Sequence, residues 1–74
     1  MTAGAQYIVT TTFDGHGGEP FVAGDRVVFQ GEMHDVYDSC DAWIFMLGKR
    51  QRAIMGYGPF ADPEHWKPYF QLAG

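Results

Sequence analysis

A single cysteine, Cys40, in 74 residues excludes an internal disulfide and a zinc site built on cysteine pairs. A reducing setting is the default for such a chain, and a cytoplasmic location is expected. Basic residues are scarce: five Lys and Arg stand against nine Asp and Glu, a formal net charge of −4. Binding nucleic acid by neutralising phosphates needs clustered Lys and Arg. The one basic run, Lys49-Arg50-Gln51-Arg52, reads as a solvated hairpin tip, so nucleic acid is not an expected partner. No apolar run approaches the ~20 residues of a membrane-spanning helix. Residues 1–6 lack the basic and apolar regions of a signal peptide. Beginning at Met1, the chain is expected to be a complete small protein. No His, Cys, Asp or Glu spacing matches a metal-ligand motif, and Gly15-His16-Gly17-Gly18 does not open a helix that could cradle a phosphate. No cofactor and no metal are expected.

Against these absences stand many aromatic rings. The chain is 46% hydrophobic and 16% aromatic, and large rings can build a core where many aliphatics would not fit. One domain spanning residues 1–74 is expected, near the lower size limit for a self-sufficient core, with residues 1–5 frayed. Ten glycines point to many tight turns between short strands.

Tyr7-Ile8-Val9-Thr10-Thr11-Thr12-Phe13 is almost wholly β-branched or aromatic and predicts a strand. Asp14 to Pro20, with three glycines and a proline, reads as a flexible loop. Phe21-Val22-Ala23-Gly24-Asp25 turns into a second strand over 26–30, with Val27 and Phe29 on one face. Residues 31–41 read as an acidic loop whose middle, 35–38, adds a short strand or docks Tyr37 on the core. Ala42-Trp43-Ile44-Phe45-Met46-Leu47 predicts a third strand that is apolar on both faces, which suits a central position. Gly48 and the clustered Trp, Ile and Phe weigh against a helix over 42–55. A hairpin turn over 48–51 leads to a fourth strand over 52–57. Pro63 then opens a single 3-10 turn near 63–66, capped by Asp62, because its fixed φ fits a first helical position. Pro68 ends that turn, and residues 69–73 form the last strand.

In order and spacing, residues 6–73 resemble the SH3 small barrel. The features that carry the resemblance are Phe21-Val22-Ala23-Gly24-Asp25 entering the second strand, Trp43 opening the third and the Gly48–Arg52 hairpin. Gly56 in the fourth strand, the Pro63-Glu64-His65-Trp66 turn and the short last strand complete them. The resemblance implies an all-β, five-stranded barrel and places Trp43, Pro63 and Trp66 where such domains carry a peptide groove. Peptide-binding members carry tyrosines on the first strand, where this chain has Val9 and Thr11. Their first loop is acidic, whereas here only Asp14 and Glu19 are.

The function expected is non-catalytic: binding a partner protein or peptide, or a second copy as a homo-oligomer, through an aromatic face. The candidate residues are Trp43, Tyr57, Phe60, Pro63, Trp66 and Tyr69, since Trp and Tyr dominate binding energy at interfaces. Both tryptophans serve that role only if exposed; rings filling a small core are the competing reading. A small acidic chain of this kind also suits a phage or mobile-element accessory protein. A second function class is an acidic mimic of nucleic acid that inhibits a basic host factor, with Glu32, Asp35, Asp38, Asp41, Asp62 and Glu64 as pseudo-phosphates. A third is a small oligomeric enzyme using His34, Cys40 or His65, which requires a histidine within hydrogen-bond reach of the thiol.

Overall fold

The computed structural model describes residues 1–37 and 40–73. Five strands form one antiparallel sheet: β1 (Gln6–Val9), β2 (Arg26–Asp35), β3 (Cys40–Leu47), β4 (Arg50–Met55) and β5 (Phe70–Leu72). Their spatial order is β4-β3-β2-β1-β5, so the last strand returns to pair with the first and the sheet curls into a small barrel. The all-β reading and the strand count are as the sequence implies.

The strand limits differ from expectation in two informative places. β1 ends at Val9, and Phe13 instead bridges to Phe21 across the following loop, ring stacked on ring at 4.9 Å. β2 does not stop at Gln30 but runs on to Asp35. The expected loop over 31–35 is strand because Gly31, at φ 141°, absorbs a register shift between Phe29 and Gly31. A bulge of this kind bends the strand without ending it. β3 therefore pairs along its whole length, with β2 from Val28 to Asp35 and with β4 from Arg50 to Met55.

Three consecutive 3-10 turns, Gly58–Ala61, Pro63–His65 and Lys67–Tyr69, replace the single expected one. Asp62 caps the middle turn as anticipated, accepting from the Glu64 amide at 3.0 Å. Pro68 does not end the turns: it sits in the first positions of the third, where its missing N–H costs nothing.

The core lies inside the curl. Val9, Phe21, Val27, Phe45, Ile54 and Trp66 are its most deeply buried side chains, and Phe45 stacks flat on Phe70 at 4.9 Å. Chain closure depends on the loop between β1 and β2. A Cβ on Gly17 would run into the Ala53 carbonyl oxygen, so only glycine lets this loop press against β4. The Met55 amide donates to the Gly15 carbonyl at 2.8 Å, and Glu19 pairs with Arg52 at 2.8 Å. The loop read as flexible is instead a cover for the free edge of β4. Arg52, expected on a solvated tip, is largely buried beneath it.

Candidate functional site

Alternation along β3 sends Trp43 and Phe45 into the core and leaves Ala42, Ile44 and Met46 on the convex side of the sheet. The register carries that split across both neighbours. Ala42 lies opposite Met33 and Met55, and Ile44 opposite Gly31 and Ala53. The convex side is therefore floored by Ile44, Ala42 and Ala53 and walled by Met33 and Met55, with Val36 and Tyr37 at its upper end. The two alanines sink a depression of about 470 Å³ into this floor. Met33 is 62% exposed, Val36 73% and Tyr37 94%. Side by side, they extend the apolar face beyond the depression. The β1–β2 loop reaches one margin of this face at Ala53, and Ala42 and Cys40 lie buried in it, while Met33, Val36 and Tyr37 are open to solvent.

On the concave side the sequence-predicted residues separate into two groups. Trp43 and Trp66 meet with ring centroids 5.2 Å apart and line a cleft of about 260 Å³ with Phe29, Pro63, Glu32 and Lys67. Trp43 Nε1 donates to Glu32 at 3.0 Å, while Trp66 Nε1 is buried without a hydrogen-bond acceptor among the described residues. Phe60 and Tyr69 pack elsewhere, against Phe13 at 5.9 and 4.8 Å. Tyr57 is exposed and precedes the first 3-10 turn.

The groove expected from the tryptophans is corrected by burial. Trp43 is 4% exposed and Trp66 1%, so neither ring offers a stacking platform. The physical reason is the size of the barrel: its curl is closed by few side chains, and Trp66 fills it edge-on to Phe45 and Phe70. Pro63 is half-buried beside them, and Phe60 and Tyr69 are half-buried as core packing.

The remaining candidates are dispersed. His34 Nδ1 lies 2.9 Å from Asp41 Oδ1 across β2 and β3. Cys40 follows the opposite alternation from Asp41 and is buried, so the thiol and the His34 ring face away from each other. His65 lies on the second 3-10 turn, exposed. Among the described residues no three His, Cys, Asp or Glu side chains converge as a metal site. Of the six proposed pseudo-phosphates, Glu32, Asp41, Asp62 and Glu64 each hold an internal bond, to Trp43, His34, the Glu64 amide and Lys67. Asp38 lies outside the described residues.

Sequence reasoning missed Met33, Val36, Ile44 and Met55 as site residues. The signal was present in Ala42, Ile44 and Met46, the second apolar face of β3. That face was read as evidence of a central strand, which β3 is, and not as an uncovered surface.

No family model matches the chain, and no curated protein matches it. Among solved structures, an integron cassette protein from the mobile metagenome of Vibrio cholerae is similar in fold. It is 25% identical, with a TM-score of 0.73, over 99% of this chain and 88% of that one. No helix among the described residues is long and apolar enough to cross a membrane.

Proposed function

We propose that this protein is a non-catalytic protein–protein interaction domain that docks a partner protein on the convex face of β2, β3 and β4. The observation that carries the reading is the exposure of Met33, Val36 and Tyr37 around an apolar floor in a chain whose core is already complete without them. Contiguous exposed apolar surface on a small protein marks an interaction site. Methionine-rich walls suit such a site, since the thioether adapts to an incoming shape. The chain's charge of −4 favours a partner whose contact surface is apolar at its centre and basic at its margin. The SH3 resemblance enters here as fold kinship, with the docking surface moved from the groove to the opposite side of the sheet. The likeness to an integron cassette protein supports an accessory role in a mobile element.

The test is capture by the immobilised protein from its native host, with Ile44→Glu and Val36→Glu as comparison baits. A partner retained by the natural chain and lost by at least about tenfold with each folded variant supports the reading. A partner held equally by all three baits overturns it.

A further inference from the structure

The chain protects two of its sheet edges and leaves a third open. β4 is covered by the Gly15–Gly17 loop, and β5 is only three residues long. β2 is different. β1 pairs with it only as far as Val28, and beyond that Gly4 and Ala5 bond to Phe29. From Gly31 to Asp35, β2 has β3 on one side and no backbone partner among the described residues on the other.

The hydrogen-bond alternation fixes which groups face that open edge. The Met55 amide points away from β3, toward Gly15. Ile54 and Arg52 therefore bond to β3 at Trp43 and Phe45, and Ala42 and Ile44 turn their amides toward β2. Their partners Met33 and Gly31 are thus satisfied, and the outward groups are those of Glu32 and His34.

We infer that this edge pairs with the same edge of a second copy, antiparallel and centred on Met33. Centring there sets Glu32 opposite His34 of the second copy, and His34 opposite its Glu32. Each such pair exchanges two backbone hydrogen bonds, four in all. The neighbouring centres are disfavoured: at Glu32 two carboxylates would face each other, and at His34 Met33 would face Asp35. Across the central pair the two Met33 side chains meet on the convex side. There a depression of about 160 Å³, lined by Gln30, Gly31, Met33 and Ile44, receives the incoming Met33. Gly31 has no side chain to fill it. Gly4 and Ala5 at Phe29 limit the pairing to a few residues, so the association is weak and reversible. It joins two convex faces side by side into one broader surface. This inference rests on the interaction-domain reading only for its purpose; the pairing itself is measured with no partner present.

The test is register-specific disulfide trapping in a Cys40→Ala background. In an antiparallel pair without mutual hydrogen bonds the Cα atoms lie about 4.5 Å apart, within disulfide range. Met33→Cys is therefore expected to form a covalent dimer under oxidised glutathione. His34→Cys is not, since the two copies of residue 34 are offset to roughly 8–9 Å. Adding His34→Pro, which deletes an outward amide and leaves the β2–β3 backbone ladder intact while removing the His34–Asp41 side-chain contact, is expected to reduce trapping through Met33→Cys by about tenfold. Should that variant fail to fold, His34→Glu, which sets carboxylate against carboxylate, gives the same expectation. Met33→Cys remaining monomeric, or both cysteines trapping equally, overturns the inference.

Discussion

Replacing each tryptophan by phenylalanine separates the two rings by their polar atoms. Both are almost fully buried, so the loss of packing is comparable. The indole N–H groups differ: that of Trp43 donates to the Glu32 carboxylate, and that of Trp66 finds no acceptor among the described residues. Hydrogen bonds to charged groups contribute about 1.5–3 kcal/mol, and removing a donor that had no partner costs nothing of that kind. Trp43→Phe should therefore destabilise the domain by about 1–3 kcal/mol more than Trp66→Phe. Trp66→Ala goes further. Emptying a site walled by Trp43, Phe45 and Phe70 costs about 3–5 kcal/mol. A chain of 74 residues has roughly 4–11 kcal/mol of stability in total. That variant should therefore lose roughly a third or more of the domain's stability. Urea unfolding followed by far-ultraviolet circular dichroism measures all three. Equal losses for the two phenylalanine variants would refute the hydrogen-bond reasoning, and a Trp66→Ala protein of natural stability would return Trp66 to the surface.

Three further outcomes follow from the packing of the β1–β2 loop and from charge. Gly17→Ala must move the loop by about 1 Å to relieve its contact with Ala53, straining the Gly15–Met55 bond; a loss of about 1–3 kcal/mol is expected by urea unfolding. Glu19→Gln leaves Arg52 largely buried without its anionic partner and should cost about 1–2 kcal/mol, less than a fully buried pair because Glu19 itself is exposed. Rising salt should weaken capture of a basic-rimmed partner and strengthen self-association of copies that each carry −4, as read by sedimentation across a salt series.

Much of the fold was legible because local preference and tertiary structure agree. The β-branched and aromatic run at Tyr7–Val9, the alternation through Trp43 and Phe45, and Pro63 behind Asp62 each lie in the kind of element their residue types favour. The errors share a cause. Gly31, Glu32 and Asp35 read as loop because glycine and acids are poor in strands, yet a bulge glycine and pairing with β3 carry the strand through. Gly15 and Gly17 read as flexible because glycine permits many conformations, whereas here it permits close approach to β4. Of the site, the placement of Trp43 beside Trp66 and Pro63 was legible, but their burial was not. Whether a ring at a given position points into a barrel or out of a groove depends on the closing of the curl. The convex face was written in Ala42, Ile44 and Met46, but only the three-dimensional sheet sets Met33, Val36 and Tyr37 beside it, open to solvent.

The docking claim is tested most directly by the backbone amide chemical shifts of the isotopically labelled protein during titration with a captured partner. The account places the perturbed amides on Met33, Ala42, Ile44, Ala53 and Met55, with those of residues 64–67 and 69 unmoved. Shifts confined to residues 60–69, with the convex face silent, would contradict it.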